Sequence, residues 1–381
     1  MVTNAVKPAS DYRKRIVFNG YVFAQTGYGT ASRAYIRALR WSSSDMSVVD
    51  RNPHKRIDVA DPVVLALLNK PLRPDIYICH SEIQDVVSLE ALFQSLIVLT
   101  TWETDVLPDG HIQILNRVKE VWVPSRFNRT VFENCLAVPV FRLPHPVRWL
   151  RCAANRADLC RVIGVPDKSF LVVNIATWQA RKNPMGCIEA FLRAFSTTGD
   201  AFLVLKNRFD FVERNEALND IRRLCDSLDI PYPFAAARIR LIDTSWPEDM
   251  ISTLIRRANC YLSLHRGEGW CYPLFDAVCS GVPVIATGYS GPMDYLSKRH
   301  NMLVHYALCR VHQPGQRTPF YFSQRMAWAD PDVEHAVFLL RSLYADYSHY
   351  KKISTRWSAV VAGRYSERRV GRLAERRLET I

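Results

Sequence analysis

Short apolar runs alternate with amphipathic stretches along most of the chain, and that alternation predicts its elements. The first strand is read at Arg15–Phe18, with apolar character running on to Phe23. The turn Thr26-Gly27-Tyr28-Gly29-Thr30 follows, and then helical spacing from Ala31 to Leu39. Val63–Leu68 reads as a buried helix and Asp75–Cys79 as a strand ending at His80. Ser88–Gln94 reads as a helix, and Leu96–Thr100 and Val121–Val123 as buried strands. Pro144 and Pro146 bracket His145 and halt regular structure there. The rhythm then restarts, with strands at Phe170–Ile175, Ala201–Lys206, Ile239–Ile242, Cys260–Ser263 and Pro283–Thr287. Helices are expected at Pro184–Phe195, Asn215–Ser227 and Asp249–Ala258, and from Pro331 the chain reads as helical throughout.

Strands alternating with helices across short loops predict parallel, doubly wound sheets in an α/β protein. A chain of 381 residues is too long for one ordinary core. The pattern predicts a first Rossmann-like domain at 1–146, a second at 147–355, and a C-terminal helix at 356–381 that is a candidate to cross back to the first domain. Two such domains facing one another place a cleft at the carboxyl ends of both sheets.

Composition narrows the function classes. Hydrophobic residues make up 48% and charged residues 23%, which excludes a disordered chain. No apolar run reaches the roughly 20 residues that a membrane helix needs. Met1–Arg15 lacks the apolar core and cleavage site of a secretory signal, so a cytoplasmic protein is expected. Ten cysteines occur without a C-x-x-C pair. The eight-residue spacings of Cys152/Cys160 and Cys271/Cys279 match no metal pattern, so buried thiols and no metal are expected.

The net charge of +13 suits phosphate-bearing substrates, an anionic membrane surface or nucleic acid. The arginines are spread, and no aromatic-interleaved motif accompanies them, so nucleic acid is not expected as a partner. Arg364, Arg368, Arg372 and Arg376 fall at i, i+4 spacing, a basic stripe if one helix carries them. That stripe makes a peripheral contact with an anionic inner membrane face a candidate; packing of the tail on the first domain is the alternative.

The richest stretch runs from Leu262 to Thr287. A strand leads into His265-Arg266-Gly267-Glu268-Gly269-Trp270-Cys271, and Pro273 then suits the first turn of a short helix. Gly281 suits the left-handed position past its end. Amides around Tyr272–Leu274 are placed to hold a phosphate. Glu268 and Asp276 cannot bind phosphate, but they can accept hydrogen bonds from sugar or ribose hydroxyls. The plainer alternative is two carboxylates on a solvated loop and helix. His265, at the strand end, is as open to a structural role as to a donor contact.

This stretch, continuing through Gly288-Tyr289-Ser290-Gly291-Pro292-Met293-Asp294, resembles the donor-site signature of glycosyltransferase family 4, two acids separated by seven residues. The resemblance implies a GT-B fold and a retaining transferase that uses a nucleotide sugar. It assigns Glu268 to the transferred sugar and Asp276 to the nucleotide ribose, where the family usually carries glutamate. It also brings Gly269, Trp270, Cys271 and Tyr272 to the donor. Ala176–Pro184 resembles the family's basic loop, which sets Arg181 and Lys182 against the donor diphosphate and makes Lys206 a third cation. An exposed basic helix start is the alternative there.

Gly27-Tyr28-Gly29 matches the place of the family's glycine loop, which faces the diphosphate, although G-x-G alone serves a structural turn equally well. Thr100–Pro108 and Trp122–Phe127 resemble the acceptor side of members with a Trp-Glu pair, which makes Glu103 and Trp102 contacts and Asp105 a weaker candidate. Trp102 as core packing is the alternative. His80 and His145 fit structural roles better than catalytic ones, although His80 stays an acceptor-side candidate.

The family implies front-face attack on a UDP- or GDP-linked hexose by a glycan or lipid-linked acceptor, with no obligatory cofactor or metal. The rival readings are a nucleotide-sugar epimerase or hydrolase of the same fold and a non-enzymatic basic nucleic-acid-binding protein.

Overall fold

The computed structural model describes residues 13–51, 61–148, 151–209, 213–311 and 322–381. Most of the Met1–Arg15 segment therefore lies outside the described residues. Two six-stranded sheets dominate, and every pairing within them is parallel.

The first sheet contains β1 (Arg15–Gly20), β2 (Asp45–Asp50), β3 (Ile76–His80), β4 (Leu96–Leu99), β5 (Glu120–Val123) and β6 (Val140–Arg142), in the order β2-β1-β3-β4-β5-β6. The second contains β7 (Phe170–Thr177), β8 (Ala201–Arg208), β9 (Ile239–Ile242), β10 (Cys260–Ser263), β11 (Val284–Thr287) and β12 (Met302–Val304), in the order β12-β11-β10-β7-β8-β9. These are the two doubly wound parallel sheets expected from the pattern, in the GT-B arrangement that the resemblance implies. All residues of β4, β5, β10 and β11 are buried. Helices on both faces leave such strands no wet side, which is why they read as short, mostly apolar runs.

The winding direction reverses between β1 and β3 in the first sheet and between β7 and β10 in the second. At such a reversal the connecting loops diverge and leave a crevice at the carboxyl ends of the strands. All of the loops that carry candidate chemistry leave strands at or beside these two points.

Several elements depart from the expected pattern. The helix after β1 spans Gly27–Leu39 and starts four residues before Ala31, because the Thr26 hydroxyl caps it, accepting from the Gly29 amide at 3.2 Å. The segment at Val63–Leu68 is the helix Pro62–Leu67, and only Val64 is buried in it, with Leu65 half exposed. The stretch around Ser88–Gln94 is a 3-10 helix, Ile83–Ser95, broken at Leu89. The sequence pattern missed β2, β6, β12 and the helices Asp109–Leu115, Arg126–Glu133, Arg156–Ile163 and Tyr232–Arg238.

The tail is helical only from Val333, and an antiparallel pair, β13 (Tyr306–Arg310) and β14 (Ala327–Pro331), precedes it. This pair reaches across to the first half. Phe322 and Trp328 join the cluster around Trp102, and Asp105 accepts from the Ala327 amide at 2.6 Å.

The expected arginine stripe is broken. One helix ends at Arg364 and the next begins at Glu367, so Arg364 does not share a helix with Arg368, Arg372 and Arg376. The last helix, Glu367–Leu378, lies on Gly27–Leu39. A Cβ on Gly371 would come within 2.1 Å of the Ala38 carbonyl oxygen, and Arg377 pairs with the buried Glu120 at 2.7 Å. Arg368, Arg369, Arg372 and Arg376 face outward.

Candidate functional site

The basic loop follows β7 as a single 3-10 turn, Ala180–Lys182. Asn183 ends it in the left-handed region at φ 50° and caps the next helix, its side-chain oxygen accepting from the Gly186 amide at 3.1 Å. The loop after β10 is laced to this turn. Arg181 donates to the Gly267 carbonyl at 2.8 Å, and the Arg266 amide donates to the Arg181 carbonyl at 2.8 Å. Arg181 is thus buried, not on a wet helix start.

Glu268 sits where these loops meet. Its carboxylate is 2.5 Å from Lys182 Nζ and 3.2 Å from Arg181. Arg181 also reaches Glu103 of the first half at 3.3 Å. Burial would raise the Glu268 pKa, but Lys182 and Arg181 outweigh it and hold the carboxyl near 2. At Glu103 burial prevails, and its pKa is raised despite Arg181.

The Glu268 backbone is pinned as well. Its amide donates to the Ser290 hydroxyl at 3.0 Å, and its carbonyl accepts from the Gly291 amide at 2.9 Å. Ser290 holds φ 62°, a conformation that costs a non-glycine residue about 1–3 kcal/mol and persists only where surroundings impose it. Gly291 cannot carry a side chain, because its Cβ would lie 1.9 Å from the Gly269 carbonyl oxygen. The Gly288–Asp294 run thus acts as the backing of the Glu268 loop.

The loop also abuts the first half directly. A Cβ on Gly267 would come within 2.0 Å of the Glu103 carbonyl oxygen, and one on Gly269 within 1.5 Å of the Thr101 hydroxyl. These glycines serve contact between the halves.

Several of the expected donor contacts are buried and engaged within the protein. His265 is fully buried, with its ring nitrogens engaged by the Ser263 hydroxyl at 3.0 Å and the Tyr289 carbonyl at 3.3 Å; it supports the loop from behind. Trp270 is buried among His145, Phe275, Tyr295 and Tyr365, because the αL turn at Cys271 (φ 69°) directs it into the core. Tyr272 is buried and donates to the Pro146 carbonyl at 3.2 Å. Asp276 is buried on the helix Tyr272–Cys279 and held by Arg148, with contacts of 3.1 and 2.5 Å to one oxygen. Arg148 also lies 3.7 Å from Glu248, which pairs with Arg33. Burial raises the Asp276 pKa even so. Lys206 is buried near the carboxyl end of β8, and its ammonium makes no hydrogen bond with a described residue.

On the first-half side, Gly29 packs on its own loop. Its Cβ would meet the Ala24 carbonyl oxygen at 1.9 Å, whereas Gly27 is open. Trp102 is buried, its indole N–H donating to Thr104 at 2.7 Å and the Val106 carbonyl at 2.8 Å. Asp105 is exposed and tied to β14. His80 is buried against Tyr28 and Tyr35 and bonded to the Ser32 hydroxyl at 2.7 Å; burial takes its pKa down to about 3. Beside these lies a small, half-open cavity walled by Tyr28, Glu82, Gln84, Thr101, Glu103 and His111.

A wider, shallow hollow lined by Arg156, Lys168 and Asp200 opens at the amino ends of β7 and β8. It is remote from the candidate loops, and its guanidinium is spent on the carbonyls of Asp167, Ser169 and Arg257. Among the described residues no three His, Cys, Asp or Glu side chains gather as a metal cluster. Nor is any described helix long and apolar enough to cross a membrane. The ten cysteines are unbridged, five of them buried and Cys152 exposed.

Glu82, Arg148 and Glu248 were not singled out from the sequence. Arg148 follows the Pro144–Val147 break directly, but no spacing links it to a partner 128 residues away.

No family model and no curated protein matches the chain. Its fold is shared with solved glycosyltransferases. HepE of Anabaena, in complex with UDP and glucose, has a TM-score of 0.66 at 13% identity, over 97% of this chain and 100% of that one. Sucrose-phosphate synthase of Thermosynechococcus elongatus has a TM-score of 0.65 at 14% identity, over 97% and 99%. A glycosyltransferase of Rickettsia africae has 0.63 at 12%, over 97% of each chain.

Proposed function

Starting from this fold, we propose that the chain is a retaining glycosyltransferase of the family-4 type, which moves a hexose from a UDP- or GDP-linked donor to a glycan or lipid-linked hydroxyl. The observation that carries this reading is the meeting of Lys182, Arg181, Glu268 and Glu103 where the reversal-point loops of two facing parallel sheets converge. The Anabaena neighbour binds UDP and glucose on the same fold, which supports a nucleotide-sugar donor.

In this mechanism the donor diphosphate takes over Lys182 and Arg181, with Lys206 as a further cation. Their charge stabilises the negative charge that builds as the sugar–phosphate bond breaks. Glu268, released from those partners and ionised, accepts from the sugar hydroxyls. Asp276 reaches the ribose by exchanging part of its Arg148 contact. The acceptor oxygen bonds the anomeric carbon on the face the phosphate leaves, and its proton passes to the departing phosphate oxygen. The nucleoside diphosphate and the glycoside are the products. The outward arginines of the last helix serve a peripheral contact with anionic lipid at the inner membrane face.

Thermal melts with UDP and with GDP test the donor site. A ligand at 100 times its dissociation constant adds about 2.7 kcal/mol, and the matching nucleotide raises Tm accordingly. If neither nucleotide moves Tm, the donor site is misassigned. Mass spectrometry of a nucleotide-sugar panel then reads which sugar is released.

A further inference from the structure

The two walls of the cleft carry opposite charge, and this bears on the acceptor. The wall supplied by the second sheet holds Arg181 and Lys182. The cavity on the first-sheet wall is lined by no lysine or arginine. Two of its lining residues are carboxylates, Glu82 at the exposed rim and Glu103 half-buried behind it. Asp85, one turn past Glu82, adds a third acid close by; its carboxylate accepts from the Tyr21 hydroxyl. His111 adds no positive charge at neutral pH, because burial brings its pKa down to about 4.

The nearest cations are already committed. Arg181 lies between Glu103 and Glu268, and in the donor complex it faces the diphosphate. Arg51, beyond Asp85, is spent on Asn19, Ser88 and the Asp85 carbonyl. A phosphate or carboxylate group placed in this cavity would meet like charge with no cation in the lining to neutralise it. Hydroxyls and amines meet the opposite condition. Ionised carboxylates only accept hydrogen bonds, the Gln84 amide donates to the Glu82 carboxylate and keeps a second N–H and its oxygen for a ligand, and the Tyr28 ring adds apolar surface.

We infer that the acceptor is an uncharged or amine-bearing sugar hydroxyl, and that Glu82 and Gln84 select it against phosphorylated or carboxylate-bearing sugars. This rests on the donor reading above, with the cavity as the acceptor subsite of that site.

The test uses the full chain saturated with UDP or GDP, whichever raises its Tm. Saturation-transfer NMR then compares glucose, glucosamine, glucose 6-phosphate and glucuronate as probes. Glucose and glucosamine should bind at least tenfold more tightly than the two acidic sugars. Glu82→Lys, at an exposed position that tolerates the change, should narrow or invert that ratio, as should Gln84→Lys. Acidic sugars binding as well as neutral ones would overturn the inference. So would a ranking that neither lysine variant moves, or no binding by any of the four. A missing nucleotide shift in the same samples would instead count against the donor reading itself.

Discussion

The first and second halves of the molecule are built alike, as parallel sheets whose winding reverses beside the cleft, yet they bring different chemistry to it. The second half presents a charged and pinned loop. Glu268 is held at both backbone groups and ion-paired through its carboxylate to Lys182 and Arg181. The first half presents neutral, buried rings behind a carboxylate rim, with His80 and Trp102 both satisfied internally. Burial alone explains the contrast. An ion pair taken from water needs fixed partners, whereas a buried imidazole simply stays neutral.

The sharpest way to break the comparison is to discharge the second wall. Lys182→Ala should lower kcat about 10²–10³-fold with native circular dichroism, because Glu268 keeps Arg181 as a partner. Glu103→Gln, on the opposite wall, should act mainly on acceptor KM. Equal losses in kcat from the two variants would mean that the walls do not divide the work. The contact between the halves is tested by Gly269→Ala, whose Cβ would overlap the Thr101 hydroxyl. The loss should be about 1–3 kcal/mol in denaturant melts, and Thr101→Ala in the same background should recover part of it.

Acid should separate the halves in order. The folded pKa of His80, about 3, lies below its ordinary 6.5, so its contribution is complete above pH 6.5 and is lost as pH falls toward 3. Glu268 is depressed from 4.5 to about 2, so its contribution holds until pH 4.5 and then fades. His80→Gln should therefore flatten the Tm profile between pH 6.5 and 4.5, and Glu268→Gln the profile below 4.5. A profile unchanged in both ranges would count against the burial argument. The smallest effect belongs to the outer face of the last helix. Arg368→Glu with Arg372→Glu should leave turnover in solution unchanged and weaken co-sedimentation with anionic vesicles by about 1 kcal/mol per arginine. Retained binding in that double variant would place any membrane contact elsewhere.

Legibility followed burial. Strands covered on both faces, such as β10 and β11, cannot be mistaken for surface, and they were read within a residue. β2 was missed because aspartates end its short buried run, and β13 because its residues are mostly exposed. The Glu268 loop was legible from its glycines and from Pro273, whose places follow from backbone geometry. The role of those glycines was not. Gly267 and Gly269 are small because another half of the protein lies against them. The resemblance placed Trp270 among the donor contacts and His265 was open to either role; in the structure both side chains lie inward, Trp270 beside the turn at Cys271 and His265 with its imidazole engaged.

Residue order alone was enough to read the alternation of elements, the break at Pro144–Pro146, and the loops able to carry charge. Each of these depends on local backbone preference or on the period of burial. Which charges meet is set by the folded arrangement. Lys182 and Glu268 are separated by 86 positions and Arg148 and Asp276 by 128. Ion pairing at such separations leaves no period in the chain, because it is set by where the sheets reverse and how the two halves abut.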